Sequence, residues 1–94
     1  MSTLTRRFGM VVRRHRTARG WSQEEFADRA GLSRSYSGEV ERGNSTPSLA
    51  TVLKIAAALG ATPSALVEEA ERDIRPGGVS VARSPAASLA MQGF

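Results

Sequence analysis

Apolar residues recur along this chain at helical spacing, and glycines, prolines and serines break the pattern into five stretches. Leu4, Phe8, Val12, His15 and Arg19 lie three or four residues apart and predict a first helix over about Leu4–Arg19. Gly20 stops it, and Trp21 packs back at the boundary. Ser22 caps a second helix, Glu25 completes an S-x-x-E capping box, and Phe26 and Ala27 supply a small apolar face. Gly31 ends that helix in the left-handed conformation, Leu32 plugs the corner, and Ser33 caps a third helix from Arg34 to Arg42. Only about three residues separate these two short helices, the spacing that lets the second be presented to a groove. The turn-rich stretch Gly43–Pro47 leads to Ser48, the cap of a fourth helix over Leu49–Leu59. Leu49, Val52, Leu53, Ile55, Ala56 and Leu59 leave that helix almost no polar face, so it is expected to be central and buried. Gly60 ends it. Thr62 and Pro63 open a fifth helix, whose inward or partner-facing stripe is Leu66, Val67, Ala70 and Ile74.

Composition changes at Arg75-Pro76-Gly77-Gly78, so residues 1–74 read as one helical domain and 75–94 as a mobile tail. Within that tail, Gly78–Ala82 alternates weakly enough to allow a short strand formed with a partner chain. A chain of 94 residues, 40% hydrophobic and 23% charged, suits one small all-α bundle rather than a domain with a deep cleft. It has no cysteine and one histidine, which removes disulfides, thiolate metal sites and a Cys–His nucleophile pair. Gly-rich phosphate loops, H-E-x-x-H and G-x-S-x-G are also missing from the sequence, so neither catalysis, a metal nor a cofactor is expected. No apolar run approaches the roughly 20 residues needed to cross a bilayer, and Gly9-Met10-Val11-Val12 is too short for a signal peptide. A cytoplasmic protein without membrane contact is the expectation. The net charge is +4, unevenly spread. Arg6, Arg7, Arg13, Arg14, Arg16 and Arg19 crowd the first twenty residues without an acid, whereas Glu68, Glu69, Glu71 and Asp73 gather late. One face is therefore suited to polyanions.

The run FG-x(3)-R-x(2)-R-x(3)-G in helix one, SQEEFA in helix two, GLSRSY…VERG in helix three and PSLATVLKIAAALG in helix four resembles the phage repressor and Cro family, also called Xre-type regulators. The likeness extends from about Phe8 to Val67. It implies a five-helix bundle of the lambda repressor-like type with helices two and three as a helix-turn-helix. It further implies a transcription regulator that binds double-stranded DNA as a homodimer on a pseudo-palindromic operator; compact members include restriction–modification controllers and antitoxins.

Carried onto this sequence, the family pattern puts Ser33, Arg34, Ser35 and Glu39 against base edges in the major groove. Arg34 can span guanine O6 and N7 with two hydrogen bonds. Ser35 is short and adaptable. Glu39 either accepts from cytosine N4 or forms a surface ion pair with Arg34 or Arg42. Gln23, at a helix N-terminus that attracts phosphate, anchors the sugar–phosphate backbone in the family. Arg42, Asn44 and Ser45 can reach backbone phosphates, and Tyr36 either meets sugar or phosphate or covers the core. The resemblance also implies a buried structural ion pair between Arg16 and Glu41.

Departures from the family pattern are local. Ser37 stands where a branched aliphatic residue is usual and can hydrogen-bond back to the Ser33 carbonyl. Gly38 beside it loosens the helix. His15 replaces a usual leucine and reads as packing. The rival to DNA binding is a protein-interaction module, such as an antitoxin or an RNA polymerase-binding adaptor, docking a partner through helix five or the tail. Helix five with its adjacent loops is the expected dimer surface.

Overall fold

In the computed structural model, which describes residues 3–74, the chain forms five helices and no strand among those residues: α1 Thr3–Ala18, α2 Gln23–Ala30, α3 Arg34–Arg42, α4 Leu49–Leu59 and α5 Pro63–Ile74. The tail expected over residues 75–94, its weak strand pattern and the side chain of Ile74 lie outside the described residues.

Four helices begin at a hydroxyl that accepts an otherwise unpaired amide. Ser22 Oγ accepts from Glu25 N at 3.0 Å, Ser33 from Tyr36 N at 3.1 Å, Ser48 from Thr51 N at 3.1 Å and Thr62 from Ala65 N at 3.1 Å. The capping box at α2 is only half made, because the Glu25 carboxylate turns to Arg29 at 3.4 Å, an i,i+4 pair on the exposed face. Gly31 closes α2 at φ 71°, where Gly31 N reaches the Asp28 carbonyl at 3.2 Å and Leu32 N the Ala27 carbonyl at 2.9 Å, so the reversal pairs two carbonyls of the last turn.

All five helices meet in one core. Val11 and Val12 of α1, Phe26 of α2, Val40 of α3, Ile55 of α4 and Leu66 of α5 are fully buried. The buried side of α1 is rotated from the expected stripe: Thr5, Phe8, Gly9, Val11, Val12 and Arg16 face inward, while Leu4 and Arg19 are exposed. Arg19 instead donates through Nη2 to the Leu59 carbonyl at 2.7 Å, serving the open C-terminus of α4. His15 is not simply packing, since its Nε2 lies 3.1 Å from Glu69 Oε1 and links α1 to α5. Trp21 does pack back at the boundary, stacked on Phe26, with the Arg29 guanidinium 4.3 Å above its ring.

Helix α4 is one-sided rather than buried all round. Thr51, Val52, Ile55, Ala56 and Leu59 face the core, but Leu49 is 88% exposed and Leu53 59%. A bundle this small can cover only one side of each helix, so an apolar sequence does not by itself make a helix central. Of the stripe on α5, Leu66 and Ala70 are completely buried within the protomer, where α5 packs mainly against α1, and Val67 is half-buried. Among the described residues no single helix is long and apolar enough to cross a membrane.

Candidate nucleic-acid interface

The geometry of α3 is fixed from below by an ion pair. Arg16 Nε donates to Glu41 Oε2 at 2.7 Å and Nη2 to Oε1 at 3.1 Å, with the two side chains 10% and 2% exposed. Arg16 Nη1 adds a bond to the Trp21 carbonyl at 2.7 Å. One guanidinium thus joins the C-terminus of α1, the entry to α2 and the last turn of α3, a bidentate arrangement that fixes direction as well as distance. Gln23 Nε2 donates to the same carboxylate at 3.3 Å, so its amide is oriented from within the protein before any ligand arrives.

Two glycines let the helices approach. A methyl group on Gly9 would sit 2.6 Å from the Glu41 carbonyl oxygen and closer still to that of Val40, so α1 lies directly on the backbone of α3. Gly43 ends α3 at φ 77°, with the Arg6 Cα so near that a Cβ would stand 2.9 Å from it.

Held in this way, α3 turns its leading end outward. Ser33, Arg34 and Ser35 are exposed, and neither Arg34 nor Ser35 has a side-chain partner among the described residues. Ser33 is partly committed as the cap. Gln23, Arg34, Ser35, Gly38 and Arg42 line a shallow depression of about 450 Å³ along this face. Glu39 is taken by Arg42, Oε2 to Nη2 at 2.6 Å, which is the ion-pair alternative read from the sequence. Asn44 is exposed and Ser45 half-buried just past the helix end. Tyr36 covers the core, with its hydroxyl 3.4 Å from Thr51 Oγ1.

Ser37 departs from its expectation. Its hydroxyl is buried and has no hydrogen-bond partner, and the bond to the Ser33 carbonyl is made by the Ser37 backbone N–H at 2.9 Å. Removing an unsatisfied buried hydroxyl is favourable, and alanine is the better helix former. Ser37→Ala is therefore expected to stabilise the domain by about 1 kcal/mol, read as a rise in thermal midpoint.

Sequence reasoning did not find the Gln23–Glu41 bond, the contact of α1 with α3 through Gly9, or the seating of Arg42 beside Gly38. Gly9 carries a signal in retrospect, since it shares one helical face with Thr5, Val12 and Arg16. The other two depend on rotamers, which spacing does not encode.

Comparison with known proteins gives a consistent picture. The family model described as Helix-turn-helix matches residues 12–66, more than half of the chain. The chain is 41% identical over 61 residues to the immunity repressor protein of Bacillus phage phi105, covering 65% of this chain and 42% of that protein. It is 35% identical over 74 residues to the control protein C.MunI of Mycoplasma sp, covering 78% of this chain and all of that one. Among solved structures, the restriction-modification controller protein C.AhdI from Aeromonas hydrophila superposes with a TM-score of 0.63 at 49% identity, covering 67% of this chain and 94% of that one. The chain spans about a third to a half of the length of several curated relatives it matches, the phage repressor among them. These relatives are regulators and repressors, not enzymes, and they agree with the phage-repressor resemblance and the all-α bundle read from the sequence.

Proposed function

The chain belongs to the helix-turn-helix family, and on that premise we propose that it is a transcription regulator binding double-stranded DNA as a homodimer. In this reading one α3 enters each of two successive major grooves of a pseudo-palindromic operator, roughly 34 Å apart. The observation that carries it is the leading turn of α3: exposed, rigidly backed by the Arg16–Glu41 pair, and headed by an arginine without an ion-pair partner among the described residues. Arg34 reads a guanine through O6 and N7, with Ser33 and Ser35 beside it. Gln23, Asn44 and Ser45 hold the sugar–phosphate backbone and set register.

Arg34→Ala is expected to cost about 1–3 kcal/mol of binding and to relax preference at one base position. Gln23→Ala should weaken all sequences about equally. Both are measured by fluorescence anisotropy on a panel of duplexes over a range of salt, where the affinity falls with a log–log slope near −0.9 per neutralised phosphate. An Arg34→Ala variant with unchanged base preference would overturn the assignment. A nearly salt-independent association would favour a protein-binding module instead.

For the dimer surface α5 offers the half-buried Val67 beside the fully buried Leu66 and Ala70, whereas α4 offers a larger exposed apolar face, and we place the interface there. Leu49, Ala50, Leu53 and Ala57 form that exposed apolar face, with Lys54 beside Ala50 and Ala57, and a second copy can cover it. Leu53→Glu is expected to leave the fold intact, yield a monomer in sedimentation and lower operator affinity at least tenfold. Retention of both dimer and affinity would place the interface elsewhere.

A further inference from the structure

Gly38 sits on the groove-facing side of α3 with no side chain of its own, and the space it leaves is filled by an arginine. A Cβ built on Gly38 would lie 3.2 Å from Arg42 Nη1 and 3.6 Å from Nη2. Long side chains on a helix lean toward its N-terminus, so the Arg42 guanidinium comes back one turn to the level of Gly38. There it lines the same depression as Arg34 and Ser35. Glu39 holds it in place at 2.6 Å. Resting on the DNA-binding reading above, we infer that Arg42 and Glu39, laid side by side across Gly38, form one unit that reads a G·C base pair in the major groove.

The chemistry of the pair matches that edge. A G·C pair presents two acceptors, guanine O6 and N7, next to one donor, cytosine N4–H. A guanidinium beside a carboxylate presents donors next to an acceptor in the same order. Arg42 has five N–H donors, and its bond to Glu39 engages only one nitrogen. A phosphate contact by Arg42 is the less suitable use. The arginine would have to leave Glu39, or bring that carboxylate toward the phosphate. In the groove, by contrast, the Glu39 charge is opposed by its own partner and its free lone pairs meet a donor. Gly38 is the enabling residue, since a methyl group there already crowds Arg42 Nη1 at 3.2 Å and shifts the guanidinium from its seat, and a larger side chain takes the space itself. Four residues at about 1.5 Å each separate its level from Arg34, so the unit reads a base pair distinct from the one under Arg34.

The test is selection of bound sites from a random duplex pool by the 94-residue chain and five variants, followed by competition binding on the selected duplex with single base-pair changes. The wild-type chain should enrich a site with a required G·C pair besides the one under Arg34. Arg42→Ala and Arg42→Lys should both lose the preference at that pair, by about five- to a hundredfold, and keep the others, because lysine lacks the planar fork. Glu39→Gln should weaken discrimination at the cytosine. Gly38→Ala should reduce preference at the same pair while its melting temperature stays equal or rises, and should add nothing in an Arg42→Ala background. The inference is overturned if Arg42→Ala weakens every duplex equally, Arg42→Lys restores the loss and the salt slope falls by about one, the signature of a phosphate anchor. If the wild-type chain enriches no sequence, the DNA-binding reading fails, and this inference with it.

Discussion

Glu41→Ala is expected to cost about 3–5 kcal/mol, a large share of the stability of a domain this size. The cause is what remains behind. Arg16 would stay buried beneath α3 with its Nη1 on the Trp21 carbonyl, while Nε and Nη2 lost both partners. Gln23 would lose its internal acceptor as well. Each kcal/mol corresponds to about 4–8 °C in thermal midpoint for a domain of 60–100 residues, so circular dichroism at 222 nm resolves the effect easily. The double change Arg16→Met with Glu41→Leu is the control. It removes the charge together with its partner and should recover most of the loss, because a buried ion pair adds little over apolar residues of similar volume. A double variant as unstable as the single one would mean that the pair contributes through geometry that no apolar packing reproduces.

Gly9→Ala carries the second large effect, and its sign is opposite to that of the same substitution at Gly38. Helix propensity favours alanine at both sites by about 1 kcal/mol. At Gly9 the new methyl group would meet the Val40 and Glu41 carbonyls, backbone atoms that cannot move without shifting α1 away from α3. That shift would also strain the Arg16–Glu41 pair, so the net cost is expected to reach about 3 kcal/mol or more in chemical denaturation. At Gly38 the nearest atoms belong to the end of the Arg42 side chain, which can swing aside. A stabilised Gly9→Ala protein would show that the two helices are not in the close contact described.

The bundle was legible because each helix carries its own punctuation. Ser22, Ser33, Ser48 and Thr62 cap helices in the structure as local side-chain chemistry requires, and α3 and α4 begin and end at the residues read from the pattern. What was not legible depends on how the helices are rotated against one another. Periodicity showed α4 as apolar all round, but only packing decides that Val52 and Ile55 turn inward while Leu49 and Leu53 face out. The same holds for α1, where Val11 rather than Leu4 is buried, and for His15, whose partner Glu69 lies 54 residues away. At the candidate interface the residue types were apparent from the family resemblance, whereas their commitments were not. Gln23 is tied to Glu41, Ser37 leaves its hydroxyl unpaired, and of the alternatives open to Glu39 the structure takes the ion pair with Arg42, all consequences of rotamers and neighbours.

The central claim is that the outward end of α3 is the surface that meets DNA. Backbone amide chemical-shift mapping during titration with a selected duplex tests it directly. The account predicts the largest changes at Ser33, Arg34 and Ser35, with Gln23 and Asn44 at the flanks, and small ones on the outer side of α5. Changes centred on α5 or on the exposed face of α4, with the α3 amides unmoved, would contradict it.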